Sequence, residues 1–208
     1  LKEGYMDKPP RISFPYKILP LESNRLIFKH FTADDLEFVH RFHNVPGVYA
    51  DPNVVLPLPL ENSEAWLMNQ LNSYENEGTG HIKAYLKESG EFVGRNGLRI
   101  VEIVKGNNGT KDAWYWYRGS APKDAEVEIQ VELGYAFLPE HWNKGYATES
   151  TDILCKKAFK EGMAEKIVAA VHAENLASAK VLEKCGFKPT GEVTGLGMDL
   201  IGYCLVKT

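Results

Sequence analysis

Cysteine is scarce in this chain of 208 residues: Cys155, Cys185 and Cys204 are the only three. They are odd in number, far apart and without a C-x-x-C pair. They therefore make neither a disulfide framework nor a zinc-ligand set, and read as buried free thiols in a reducing compartment. No lysine- or arginine-rich block occurs. The 24 basic and 28 acidic residues are dispersed, and the net charge of −4 leaves no patch for nucleic acid or a membrane surface, while a mildly acidic exterior tolerates cationic substrates. No apolar run approaches the roughly 20 residues that span a bilayer. No stretch reads as a signal peptide either, so the sequon Asn108-Gly109-Thr110 is taken as a glycine-containing loop. The first residue, Leu1, suits a trimmed chain. A soluble, cytoplasmic protein is expected.

The remaining composition, 44% hydrophobic and 25% charged, supports one domain with a sizeable core, and no internal repeat or linker divides it. Residues 1–21 carry Pro9, Pro10, Pro15 and Pro20 without periodicity and are expected to form an extended arm, with the domain at 22–208. Residues 25–31 read as the first strand. Thr32, with Asp35 three residues on, caps a helix to about His43. His40 and His43 lie three apart on it, but no Asp, Glu or Cys follows at a matching spacing, which predicts a solvated helix face and no metal site. The proline-rich, apolar segment 45–60 either packs on the body or lines a substrate cavity. A second helix from Asn62 or Ser63 carries Trp66, Leu67, Gln70, Leu71 and Tyr74. A hairpin of 82–86 and 92–101 follows, and then an insert at about 102–125 containing Trp114-Tyr115-Trp116-Tyr117. On a strand, Trp114 and Trp116 share one face. The insert is either an extended hairpin with rings packed across strands, or an aromatic wall for substrate or for a partner chain, as in a homodimer.

The chain is organised around 132–151. The strand at 127–138 alternates, with Glu128, Gln130 and Glu132 on one face and Val127, Ile129, Val131 and Leu133 on the other. Pro139 ends it. Gly145 and Ala147 form a small-residue turn, and a helical pattern runs from there to Gly162. A strand, a tight turn and a helix leave unpaired N–H groups at the helix start, a natural anion site. Nucleotide motifs do not account for it. No G-x-x-x-x-G-K-[ST] occurs, and Gly195-x-Gly197 has Leu200 in the third glycine's place and lies between two strands. An apolar strand at 166–171, a helix opened by Asn175 with Val181, Leu182 and Cys185 inward, and strands near 187–193 and 199–206 complete an α/β order with a largely antiparallel sheet.

Glu132-Leu133-Gly134-Tyr135 followed by Trp142-Asn143-Lys144-Gly145-Tyr146-Ala147-Thr148-Glu149 resembles motif A of the GNAT superfamily of acetyl-CoA-dependent N-acyltransferases, and within it the RimJ/RimL-like branch. A second block, Val171-His172-Ala173-Glu174-Asn175-Leu176-Ala177-Ser178 with Val181-Leu182-Glu183-Lys184-Cys185-Gly186-Phe187, is similar to the family's V-x-x-x-N-x-x-S-x-x-V-L-E-K-x-G-F. Ser23-Asn24-Arg25-Leu26 with Phe31-Thr32-Ala33-Asp34-Asp35 is a weaker third match. The resemblance covers 22–206 apart from the insert. It implies a single-domain GNAT fold: a mixed, mostly antiparallel twisted sheet flanked by helices, with a V-shaped splay between the fourth and fifth core strands.

The same resemblance implies acetyl-CoA as co-substrate, without a metal. The acetyl group would pass by direct attack to a primary amine, either a protein or peptide N-terminus or a small molecule such as a polyamine or amino sugar. The implied cofactor contacts are Asn143, Lys144, Gly145, Tyr146, Ala147 and Thr148 at the pyrophosphate, the backbone of Phe137 and Leu138 along the pantetheine, and Asn175 and Ser178. Asn175 also reads as a helix N-cap. Trp142 stands where the general pattern has Gln or Arg, so no guanidinium is expected at the turn. Glu132 is the implied base, directly or through water, set against a solvated strand glutamate like Glu128. Leu182 stands where many GNATs carry a tyrosine, which makes Ser178 the implied acid, while Tyr135 and Tyr203 read as core. The absent tyrosine and the insert leave an alternative open, a non-catalytic GNAT-fold module that binds acyl-CoA as a sensor or scaffold.

Overall fold

Strand β1 (Leu26–His30) turns Leu26 and Phe28 inward and ends where Thr32 meets Asp35. The Thr32 N–H donates to the Asp35 carboxylate at 2.7 Å, and the chain passes through one turn of 3₁₀ helix at Ala33–Asp35 into helix α1 (Leu36–His43). Lys83 closes on the same carboxylate at 2.6 Å and ties this corner to the sheet. The computed structural model describes residues 18–49, 54–107 and 109–207. Most of the expected arm, residues 50–53 of the proline-rich segment and Asn108 of the sequon lie outside these. Ile18 and Leu21 are buried in the main core, so the body of the domain takes in the last residues of that arm.

Helix α2 (Leu60–Asn76) starts two to three residues before the expected point. Strands β2 (Gly80–Leu86) and β3 (Phe92–Val104) form the hairpin. Then come β4 (Asp112–Tyr115), β5 (Val127–Phe137), helix α3 (Tyr146–Lys160), β6 (Lys166–His172), helix α4 (Leu176–Lys184), β7 (Lys188–Gly195) and β8 (Met198–Val206). β1, β2, β3 and β5 pair antiparallel in that spatial order, and β6, β8 and β7 do the same. The two groups meet where β5 and β6 run parallel, through Val131 with Ile167 and Glu132 with Val168 only. Beyond Glu132 the strands diverge, which is the splay the GNAT fold requires.

The insert does more than extend a hairpin. β4 lies antiparallel to β3 and, through Asp112 to Trp114, parallel to the end of β7. The pairings β3–β4–β7–β8–β6–β5 thereby close on β3, and a closed ring has no edge to protect. Val101, Ile103, Trp114, Trp116, Val168, Val193 and Leu200 form the core enclosed by this ring. The Trp116 ring fills the place of a side chain at position 195, where a Cβ would come within 2.2 Å of it; glycine is needed there. Buried Glu102 accepts from the N–H groups of Gly119 (2.8 Å) and Ala121 (3.3 Å) and pins the chain after β4. Of the four aromatics only the first two lie on the strand, and Trp114 and Trp116 are both buried. Those two rings are therefore not available as a dimerisation surface.

His43 corrects the expected solvated helix face. It is 1% exposed, packed edge-on against Trp66 at 4.9 Å, with Nδ1 3.2 Å from the Ser63 hydroxyl; His40 reaches the same hydroxyl at 3.3 Å. Burial, and after it the charges of Arg95 and His40, hold the His43 pKa down to about 3. The imidazole is thus neutral in the folded chain and takes up a proton near pH 6.5 once unfolded. Stability from this group is complete above about pH 6.5 and falls as pH drops toward 3, approaching about 1.4 kcal/mol per pH unit. Urea unfolding at pH 7, 6 and 5 is expected to show this loss, and His43→Gln to reduce the slope by this group's share. An equal slope in the variant would place the acid sensitivity elsewhere.

Candidate active site

The splay of β5 and β6 fixes the site. Along β5 the Leu138 N–H donates to the Val93 carbonyl at 2.9 Å, so Leu138 faces β3. By antiparallel alternation, the amides of Tyr135 and Phe137, beyond the last residue paired with β6, then face the gap. Both parallel strands end at the mouth of this gap, and each is followed by a helix whose N-terminus points back toward it. After β5, one turn of 3₁₀ helix at Pro139–His141 leads to Asn143 (φ 59°) and Gly145 (φ 82°). Two left-handed residues in three turn the chain sharply enough to open α3 at Tyr146. The first paired amide of that helix is Glu149's, to the Gly145 carbonyl at 3.0 Å, which leaves the preceding N–H groups of the turn facing outward. After β6, Asn175 caps α4, its Oδ1 accepting from the Ser178 N–H at 3.1 Å.

Two cavities meet here. The larger, about 840 Å³, is lined among others by Phe137, Asn143, Gly145, Tyr146, Ala147, Thr148, Asn175 and Ser178, with Gly47, Val48 and Tyr49 from the proline-rich segment opposite. That segment therefore both packs on the body, through Val48, and walls a cavity. The smaller, about 230 Å³, is lined by Glu132 with His81, Arg95, Arg99, Trp116 and Leu182, and reaches the turn between β7 and β8. Arg95, Tyr135, Asn175 and Ser178 line both, so the cavities join at these four residues. Outward-facing amides at a helix start, a left-handed glycine and the free edge of β5 suit a pyrophosphate and an amide-bearing arm. The residues present fit coenzyme A.

Not every expected contact falls there. Leu138 has its N–H on Val93 and its carbonyl on the His141 N–H at 2.9 Å, so neither backbone group is free for a ligand. The Phe137 carbonyl is taken by the Trp142 indole N–H at 2.7 Å, which leaves only its N–H. Lys144 is exposed and outside the cavity lining, and its carbonyl accepts from Arg25 at 3.0 Å. That guanidinium is one the sequence reading did not expect at the turn. It also lies over the Tyr146 ring at 4.6 Å and pairs with Glu149 at 2.6 Å. Both oxygens of Glu149 are engaged, the other one by the Ser23 hydroxyl (2.7 Å) and the Arg25 N–H (2.8 Å). Burial alone would raise the Glu149 pKa, but these bonds from Arg25 and Ser23 outweigh it and hold the carboxyl below its usual range. The matching pair in the sequence, Ser23-x-Arg25 with a glutamate one turn into α3, carried the signal.

Glu132 is not a solvated strand residue like Glu128. It is 3% exposed and paired with Arg99 Nε at 2.5 Å across the β3–β5 register. Tyr135 also differs from expectation. Its ring packs on the core, but its hydroxyl reaches the cavity junction, 2.8 Å from Ser178 Oγ and 3.0 Å from the Ser178 carbonyl. Burial raises its pKa above the usual tyrosine range and keeps the phenol protonated. Leu182, in the place of the family tyrosine, is 1% exposed. Among the described residues no group of three or more His, Cys, Asp or Glu side chains is placed to hold a metal, and no helix is long and apolar enough to cross a membrane.

The splayed parallel strand pair, with a tight turn and helix start at its mouth, is the arrangement of an acyltransferase fold. The chain belongs to the acetyltransferase (GNAT) domain family, whose model matches residues 25–188. It is an acyltransferase, and the family's donor is acetyl-CoA. The uncharacterized N-acetyltransferase YnaD of Bacillus subtilis (strain 168) is 28% identical over 132 residues, 57% of this chain and 72% of that one. A GNAT-family acetyltransferase from Bacillus anthracis superposes with a TM-score of 0.61 at 23% identity, covering 89% of this chain and 96% of that one. RimL, a ribosomal L7/L12 α-N-protein acetyltransferase in complex with coenzyme A, gives 0.63 at 12% identity over 88% and 95%. At these identities the structural likeness shows the fold.

Glu149 staples β1 to the turn, so Glu149→Gln should release Arg25 and loosen the turn. A pair this exposed contributes up to about 1 kcal/mol, or roughly fivefold in affinity. Calorimetry with coenzyme A is expected to show that weakening with Tm lowered by only a few degrees. An unchanged Kd would mean the turn keeps its shape without the staple.

Proposed function

We infer that the protein transfers the acetyl group of acetyl-CoA to a primary amine by direct attack, with the donor in the larger cavity and the amine in the smaller. The observation that carries this is the junction: two cavities of unlike character meet at a pair of hydroxyls, and the smaller one holds a buried carboxylate. The turn from Asn143 to Thr148 would hold the pyrophosphate, and the Phe137 N–H with Asn175 the arm. When bound, acetyl-CoA supplies a thioester carbonyl as the electrophile.

The chain's own groups manage the protons. Glu132 takes one proton from the ammonium, directly or through water, and passes it to solvent. Arg99 disfavours a charged ammonium beside it, so the amine is offered in its neutral, nucleophilic form. Ser178 Oγ gives a proton to the departing sulfur while the Tyr135 hydroxyl, hydrogen-bonded behind it, holds the serine oriented. The second amine proton, lost as the C–N bond forms and the C–S bond breaks, replaces the one Ser178 has given up. The three cysteines are unpaired, which supports a reducing, cytoplasmic setting.

Ser178→Ala should lower kcat on the order of 100-fold with little change in KM for acetyl-CoA, and Glu132→Gln at least as much. Tm has to be read alongside the second variant, because stranding a buried partner costs about 3–5 kcal/mol. Coenzyme A release with acetyl-CoA and a broad amine panel tests the whole reading. Donor binding without turnover of any amine would leave the sensor or scaffold alternative standing instead.

A further inference from the structure

The acceptor cavity carries a charge that the transfer itself does not require. Arg95 and Arg99 project from the same face of β3, four residues apart. Arg99 is answered by Glu132 and lies over Trp116, its guanidinium carbon 5.6 Å from the ring centre. Arg95 has no carboxylate within salt-bridge distance among the described residues. Its Nη1 donates to His81 Nδ1 at 2.6 Å, its guanidinium stacks on Trp66 at 4.9 Å, and its Nε is shut off from solvent without a partner. His81 cannot neutralise it. Burial, then the charges of Arg95, Arg99 and His43, push the His81 pKa well below its usual value, so the ring is uncharged and accepts at Nδ1. Burial draws Arg95 itself down to about 10, which leaves it charged at neutral pH. The charged side chains of the cavity are thus two guanidiniums against one carboxylate. The mild acidity of the whole chain, which suggested cationic substrates, does not extend to this pocket.

A largely buried guanidinium with no carboxylate opposite it is costly unless an anion meets it, and guanidinium donors suit a carboxylate. We propose that the acceptor is a small amine that also carries a carboxylate, such as a free amino acid, with its carboxylate on Arg95 and its amine turned toward Glu132. The proposal rests on the acetyl-transfer reading above and names the substrate class of that site. Position supports it, because Arg95 lines both cavities, and an acceptor held there has its amine at the junction. Size supports it as well. The 230 Å³ cavity holds about eight water-sized volumes at ~30 Å³ each, and Trp116, Leu196 and Met198 wall it on the side of the strand ring. A polyamine such as spermidine, with three amino groups, would keep two positive charges even with its reacting amine neutral, in a cavity that already has one in excess.

The test compares a panel of amino acids, each against its own amide, together with spermidine and a glycine-first peptide amide, by coenzyme A release with acetyl-CoA. The amides keep size and amine while removing the charge. For the preferred side chain, the acid is expected to exceed its amide in kcat/KM on the order of 100-fold, chiefly through KM. Arg95→Gln should bring the two within a few-fold by raising KM for the acid, and Arg95→Lys should restore part of the gap. Equal rates for acids and amides, or a preference for spermidine or the peptide amide, would overturn this inference and leave acetyl transfer intact. Equal loss of kcat on both members in Arg95→Gln, with the ratio kept, would assign Arg95 to the transferring group and overturn it too. Calorimetric binding of acetyl-CoA with no turnover of any amine would remove the transfer reading and this one with it. Should Arg95→Gln fail to fold, the acid and amide pairs on the unsubstituted protein still decide.

Discussion

β5 and β6 stay paired for only two residues, and the rest of the site depends on that brevity. Were the parallel pairing to continue past Glu132, the amides of Tyr135 and Phe137 would be taken up by β6 and no edge would remain for a ligand. Because the strands part, their ends lie at the two lips of a cleft, and the helices that follow begin there with unpaired N–H groups. In open α/β sheets this is where ligands collect, beyond the carboxyl ends of strands that lead to different sides. Parting strands normally expose apolar surface. Here Leu182 from α4 is buried where it lines the smaller cavity, and Tyr135 reaches α4 with its hydroxyl on Ser178.

Opening one side of a sheet is tolerable when the other side is held. The insert does this: β4 joins β3 to β7 and completes a ring whose interior is closed by Trp114 and Trp116. The same ring places Trp116 and the β7–β8 turn against the smaller cavity, so a device that stabilises the sheet also limits what can enter. The cluster around it is electrostatically expensive, with Arg95 and the Arg99–Glu132 pair set beside the buried, neutral imidazoles of His43 and His81. Buried charges of this kind are weak contributors to stability. The several well-packed apolar clusters have to offset them, and such unfavourable groupings gather at sites that act on ligands.

Much of this was legible in the chain. Alternation along 127–138, the glycine turn and Asn175 marked the strand and the two helix starts, because each depends on residues close in sequence, whereas the splay was expected only from the resemblance to the family. What escaped depends on partners far apart. The β4–β7 pairing joins residues some 80 positions distant, and nothing local in Asp112–Tyr115 announces a parallel neighbour. His43 looked solvated because spacing on α1 says nothing of α2 packing over it. Arg25 reaches the turn across more than 115 residues, although the Ser-x-Arg signal beside β1 and Glu149 in the motif hinted at it. Leu138 was assigned a ligand contact by analogy, whereas the alternation of the β3–β5 ladder turns its amide the other way.

Tyr135 shows why a missing residue need not mean a missing function. Position 182 on α4 carries leucine where a phenol would be expected, and by sequence alone the proton donor is reduced to a serine. In the folded chain the leucine is buried in the main core, and a larger polar side chain there would need both room and a partner inside the core. Strand β5 supplies a phenol from the opposite lip of the same cleft. Its hydroxyl meets Ser178 one turn before Leu182 on α4, so in the proposed mechanism serine and tyrosine together take the part of a single tyrosine. The proposed division, with Ser178 giving the proton and Tyr135 orienting it, follows from that exchange. A small residue on the helix and a long one on the strand span the gap that one long residue on the helix would otherwise cross.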